Sequence, residues 1–192
     1  MKTGLFFGSF NPVHIGHLAL ANYFIEYTDL EELWFVVSPH NPLKQADSLL
    51  DDELRLEMMH LAIEDDPRFT ICDIEFRLPK PSFTFDTLTF LSNYYPEHSF
   101  ILLMGTDGLN AFHRWKNYEQ IIENYHRYLY PRHGDEEIDF SLHKNSTLIK
   151  HAPRFEISSS FIRDSIRSGK DIRHFVPEKV YEFIEHKKLY RT

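Results

Sequence analysis

The chain is short of cysteine and glycine, has no long apolar run and carries no excess of positive charge. Its single cysteine among 192 residues closes no internal disulfide. Cys72, inside the apolar alternation FTICDIEF, is expected to pack as a small hydrophobe in a reducing compartment. No apolar run approaches the ~18 residues that a membrane-crossing helix needs. The first residues, one Lys and then GLFFGSFNP, are broken by Gly and Pro too soon for a secretory signal, so a soluble, cytoplasmic chain is expected. Lys and Arg number 21 against 29 Asp and Glu, a formal net charge of −8 that argues against a nucleic-acid groove and favours small-molecule partners. Internal repeats and low-complexity tracts are missing as well. The length and the 42% hydrophobic content suit one core, with 1–192 expected as a single domain whose small C-terminal helical portion starts at about 158.

What is present is an alternation of short apolar runs with longer amphipathic ones. TGLFFG, ELWFVVSP, FTICDIEF, HSFILLMG and HRYLYPR read as strands, and STLIKHAPRFEI adds a short one. Between them IGHLALANYFIEYT, ELRLEMMHLAIEDD and FTFDTLTFLSNYYP read as helices, and DGLNAFHRWKNYEQIIENY contains one or two more. Asp51 and Asp52 mark a helix start, Gly169 closes SSSFIRDSIRSG, and Pro177 opens a terminal helix. PRHGDEEIDFSLHKN is polar and irregular, a surface excursion. The pattern predicts an α/β, doubly wound, mainly parallel sheet of five to six strands with helices on both faces. Ligands of such sheets sit beyond the carboxyl ends of the strands, where the strand order reverses.

That prior directs attention to FFGSFNPVHIGHLALA, which holds two of the chain's seven glycines between the first strand and a helix start. Gly8 permits a tight turn and close ligand approach, Ser9 adds a hydroxyl, and Asn11-Pro12 shapes the turn. The helix N-terminus that follows favours an anion. His14 and His17 share the first helical turn, so both imidazoles lie on one side and can donate to phosphate oxygens. Core or capping histidines would satisfy the same spacing; a zinc-protease H-E-x-x-H pattern is absent. ISSSFIR places three hydroxyls at another helix start with Arg163 one turn beyond Ser160, a phosphate clamp or an ordinary serine cap. Lys44 could meet an acceptor phosphate or be a solvated loop lysine, Asp107 a ribose or its own helix end, and Trp115 a ring or the core.

With those residues in view, GSFNPVHIGH resembles the G-x-F-x-P-x-H-x-G-H signature of the nucleotidylyltransferase superfamily. PSFTFDTL (81–88), LMGTDGL (103–109), HRWKNYEQII (113–122), ISSSFIR (157–163) and VPEKVYEFIEHKKLY (176–190) follow in the order and spacing of bacterial nicotinate-nucleotide adenylyltransferases. The resemblance spans essentially the whole chain; PSFTFDTL and the Trp115 segment are its more specific parts. It implies a Rossmann-like fold and transfer of the adenylyl group of ATP to nicotinate mononucleotide, with Mg²⁺ accompanying ATP. Carried over residue by residue, it implies His14, His17 and Arg163 as catalytic. Gly8, Ser9, Phe10, Gly105, Asp107, Arg132, Ser158 and Ser159 join them on ATP, and Lys44, Thr84 and Trp115 face the mononucleotide. No metal-ligating residue is implied.

Three positions depart from the family pattern. Phe7 stands where many relatives carry a further glycine, Asn11 replaces a frequent Asp, and Leu43 replaces a frequent histidine before Lys44, with His40 a substitute donor. Two alternatives stay open: an adenylyltransferase for phosphopantetheine or another acceptor, and a nucleotide-binding sensor without turnover. Self-association, and preference for the acid or the amide mononucleotide, are open too.

Overall fold

Side-chain alternation along the strands decides which helices cover which face. The computed structural model describes residues 1–39, 49–132 and 144–191. Its strands are β1 (Lys2–Gly8), β2 (Glu32–Val37), β3 (Phe69–Cys72), β4 (Ser99–Gly105), β5 (His126–Tyr130) and β6 (Ser146–Leu148). They form one sheet in the order β3-β2-β1-β4-β5-β6, each neighbouring pair parallel. The helices are α1 (Ile15–Tyr27), α2 (Asp52–Ile63), α3 (Thr84–Tyr94), α4 (Tyr118–Asn124), α5 (Ser159–Arg167) and α6 (Glu178–Lys187). Phe6, Leu33, Phe35, Val37, Leu103 and Tyr130 point to one face, where Ala21 and Phe24 of α1, Met58 and Met59 of α2, Ile162 of α5 and Ile184 of α6 complete a core. Leu5, Trp34, Val36, Leu102, Met104 and Leu129 point to the other, against Leu88 and Leu91 of α3 and Ile121 of α4. Burial on both faces is why these strands are nearly continuous apolar runs.

The doubly wound fold is the one expected from the sequence, with six strands. From β1 the chain runs outward through β2 and β3, then returns to lay β4 on the other side of β1. The order therefore reverses between β1 and β4, which puts the ligand crevice at the ends of those two strands.

Local departures have local causes. The third strand stops at Cys72 instead of running through FTICDIEF, because Ile74–Phe76 winds into a 3₁₀ turn that swings Glu75 inward. Glu75 is buried and accepts hydrogen bonds from Thr87 Oγ1 at 2.8 Å and Ser82 Oγ at 3.2 Å. Burial raises its pKa. The segment after β4 divides into a 3₁₀ stretch, Thr106–Arg114, and α4, separated by extended Trp115 and by Asn117 at φ 51°. Pro177 caps α6 from the position just before it. His40, Leu43 and Lys44, and most of the polar stretch 131–145, lie outside the described residues.

One buried cation organises the strand ends. Arg55 of α2 is fully buried and donates to four carbonyls: Ser9 at 2.8 Å, Ser38 at 2.6 Å, Leu50 at 3.1 Å and Pro39 at 3.2 Å. It also pairs with Asp52. Arg55→Met keeps most of the volume and leaves those carbonyls without their donor. It should destabilise the protein by about 3 kcal/mol or more, lowering Tm by roughly 6 to 12 °C in thermal denaturation. An unchanged Tm would show that the strand ends hold themselves.

Candidate active site

Gly8 ends β1, and a side chain there would collide with the Phe10 ring, whose atoms lie 2.7 to 3.0 Å from the Cβ position. Phe10 reaches that place with φ 44° and is itself buried, edge-on to Phe6 and Phe35. Its side chain belongs to the core, so only its backbone is available to a ligand. The loop then passes through a cis Asn11-Pro12 peptide bond. Asn11 is buried: its carbonyl accepts Arg163 Nη1 at 2.9 Å, and its Oδ1 accepts the Tyr190 hydroxyl at 2.8 Å. The Pro12 carbonyl accepts Ser159 Oγ at 2.8 Å. Arg163 Nη2 also donates to Ser160 Oγ at 3.2 Å. Ser159 and Arg163 thus brace the loop from behind, a role that the spacing of ISSSFIR does not reveal.

His14 caps α1 and His17 follows one turn later, with the two rings stacked at 3.6 Å and 23°. His17 Nδ1 accepts the backbone N–H of His14 at 3.2 Å. That bond assigns the ring proton to Nε2 and makes Nε2 the ring's donor. His14 is buried, its Nδ1 lacks a hydrogen-bond partner, and burial together with the nearby Arg132 charge lowers its pKa to about 4. At neutral pH it is an uncharged imidazole. The helix end is less open than its sequence suggests, because Ile15 N–H donates to the Phe175 carbonyl at 3.0 Å and His17 N–H to the His14 carbonyl at 2.9 Å.

Beside the histidines lies a cavity of about 570 Å³, walled by Tyr130 at the end of β5, by Arg132 just past it and by the segment from Pro153 to Ser158. Ser158 caps α5, accepting from Phe161 N–H at 3.1 Å. Two helix caps, His14 and Ser158, therefore open on one space, an arrangement suited to an anion. Arg132 Nε stands 3.7 Å from Asp107 Oδ2. Gly105 makes that pairing fit: a Cβ there would lie 2.4 Å from Asp107 Oδ1 and 2.7 Å from Arg132 Cδ.

Thr84 and Trp115 do not line this cavity. Thr84 begins α3, and half-buried Trp115 packs against Phe112 at 5.1 Å on the opposite face of the sheet. The two segments are joined where Lys116 Nζ meets both oxygens of Asp86, at 2.8 and 2.9 Å. Three residues of the region carried no signal as site residues. Arg55 sits in an ordinary amphipathic helix, Glu75 lies within a strand-like run, and Tyr190 ends a terminal helical segment. Among the described residues no group of three or more His, Cys, Asp or Glu is placed to hold a metal ion, and no helix is long and apolar enough to cross a membrane.

A parallel sheet in this order, with a histidine pair and two helix caps at its reversal, defines a nucleotide-binding α/β protein. A family model described as cytidylyltransferase-like matches residues 5–165. A Flavobacterium johnsoniae protein named "Probable nicotinate-nucleotide adenylyltransferase" is 49% identical over 192 residues, covering 100% of both chains. One of the same name from Cytophaga hutchinsonii is 50% identical over 190 residues, covering 99% of this chain and 98% of its own. Among solved structures, a Plasmodium falciparum nicotinic acid mononucleotide adenylyltransferase complexed with NaAD aligns with TM-score 0.80 at 19% identity, over 98% of this chain and 97% of that one. The chain belongs to the cytidylyltransferase-like family and, within it, to the nicotinate-nucleotide adenylyltransferases.

His14 offers a direct probe of the cavity. A phosphate-bearing ligand beside it favours the imidazolium and should raise its pKa from about 4, with proton uptake on binding. An NMR titration of the His14 ring with and without Mg²⁺-ATP measures this. A pKa that stays put would remove the phosphates from its neighbourhood.

Proposed function

We propose that the chain transfers the adenylyl group of ATP to nicotinate mononucleotide, giving nicotinate adenine dinucleotide and pyrophosphate in NAD synthesis. The observation that carries this is similarity along the full chain, at 49% identity, to a relative bearing that activity's name. The stacked His14–His17 pair at the strand-order reversal supports it. We also read 1–192 as one domain: Ile162 and Ile166 of α5 and Val180 and Ile184 of α6 share a core with Phe6 of β1.

In this reaction an oxygen of the acceptor phosphate attacks the α-phosphorus of ATP, the bond to the β-phosphate oxygen breaks, and pyrophosphate leaves with its electron pair. The nucleophile is already anionic, so no protein base is needed. Catalysis consists of placing two anions together and stabilising the charge that develops. His17 Nε2–H and His14, whose imidazolium the phosphates favour, act on the transferring phosphoryl group. Ser158, Ser159 and Arg163 serve the leaving pyrophosphate around the α5 N-terminus, while Arg163 also braces the Asn11 carbonyl. Asp107 and Arg132 face the nucleoside end of ATP. Lys44, Thr84 and Trp115 serve the mononucleotide.

Mg²⁺ travelling with ATP would neutralise phosphate charge. The donors present fit a cation carried by the nucleotide better than one caged by protein. The cavity wall offers two imidazoles and the single carboxylate of Glu156, and Asp107 is paired with Arg132.

A coupled assay should give the highest kcat/KM with nicotinate mononucleotide when its amide and phosphopantetheine are the competing acceptors. His17→Ala should lower kcat by about 10²- to 10³-fold with little change in ATP affinity. Preference for phosphopantetheine, or ATP binding with no pyrophosphate release, would replace the proposed activity with one of the alternatives. Near-normal turnover of His17→Ala would remove that residue from the chemistry.

Trp115 tests the acceptor side. If its indole stacks on the pyridine ring, Trp115→Ala loses roughly 1 kcal/mol of contact and raises the mononucleotide KM several-fold, leaving the ATP KM nearly unchanged. If its contact with Phe112 is all that matters, Tm falls and the mononucleotide KM does not move. Measuring both KM values with Tm separates the two.

A further inference from the structure

The phosphate loop is held from a direction that the proposed mechanism does not use. Past α6 the chain turns at Lys188, with φ 54°, and Leu189 N–H closes on the Ile184 carbonyl at 3.0 Å. Tyr190 then adopts φ 61°, a backbone region that a bulky side chain seldom occupies. Despite its place near the end of the chain it is only 7% exposed and belongs to the core. Its hydroxyl donates to Asn11 Oδ1 at 2.8 Å inside that core. The same oxygen also accepts Leu50 N–H, at 3.4 Å. The Asn11 carbonyl is the atom that receives Arg163. His14, the cap of α1, lies three residues further along the same loop.

We propose that Tyr190 is a positioning residue for adenylyl transfer, its hydroxyl fixing Asn11 and through Asn11 the loop that sets His14 and Arg163. This rests on the adenylyltransferase reading above. An inward left-handed tyrosine beyond the last helix serves packing poorly on its own, since an apolar residue in ordinary backbone would fill the space. What it adds is one directed donor, at 2.8 Å, to a buried amide oxygen of the loop. Phosphoryl transfer depends steeply on the placement of its donors, so a small shift of the loop is felt in kcat before it is felt in binding.

The test is Tyr190→Phe, which keeps the ring and removes the hydroxyl. Assayed well below Tm, kcat should fall about tenfold, as the donors that the loop sets drift from their places. The mononucleotide KM should stay within twofold of the parent value. Asn11→Leu removes the acceptor and should lower kcat at least as much. The double variant should be no slower than Asn11→Leu alone, because both changes cut one connection. An unchanged kcat in Tyr190→Phe, kcat losses that multiply in the double variant, a rise of both KM values together, or failure of Tyr190→Phe to fold would each overturn the positioning role. An unaltered chain that transfers no adenylyl group would overturn the reading on which it rests, and this inference with it.

Discussion

A guanidinium taken wholly out of water must find acceptors for its donors inside the protein, and Arg55 finds most of them in backbone carbonyls. Those carbonyls belong to Ser9, just past β1, to Ser38 and Pro39, just past β2, and to Leu50, ahead of α2. At the first three of these points the chain has just left the sheet, where a parallel ladder offers the backbone no further partners. One residue therefore replaces the missing ladder at the edge of the crevice. Burial lowers the pKa of Arg55, while the Asp52 carboxylate opposes that shift and keeps the charge in place.

From this anchor the loop after Gly8 is held on three sides. Arg55 takes the Ser9 carbonyl, Arg163 takes that of Asn11, and Ser159 takes that of Pro12. These partners come from α2 and α5, which both pack on the α1 face of the sheet. The other face carries Trp115 and the start of α3. The division follows from the alternation of the strands: Phe6 looks toward the histidines and Leu5 toward α3, one peptide unit apart. A reaction between two anionic substrates suits such a crevice, because each can be gripped from its own side and meet the other at the strand tips.

Much of this was legible in the residues, and the rest was not for identifiable reasons. Strand positions and the doubly wound fold class were readable because parallel strands buried on both faces are apolar runs that differ sharply from the helices between them. The shared turn of His14 and His17 followed from their spacing. Glu75 escaped because its neighbours Ile74 and Phe76 complete a strand-like alternation, which the 3₁₀ turn at Asp73 interrupts. Arg55 escaped because a buried arginine on a helix has the same local pattern as a solvated one; only the carbonyls converging on it, up to 46 positions away, distinguish the two. Contacts such as Ser159 to Pro12, 147 positions apart, have no local signature at all.

The electrostatics of the two histidines fits transfer between anions better than proton chemistry does. A general base would need a pKa near neutrality and a free lone pair facing the substrate. His17 uses its Nδ1 lone pair on the His14 backbone N–H, which leaves Nε2 as a donor. His14 is held neutral by burial and by Arg132, so before substrate arrives no fixed imidazolium sits beside that guanidinium. The fold is thereby spared the repulsion between a buried imidazolium and the neighbouring Arg132 guanidinium. An anion placed beside the ring would offset the Arg132 charge and favour the imidazolium.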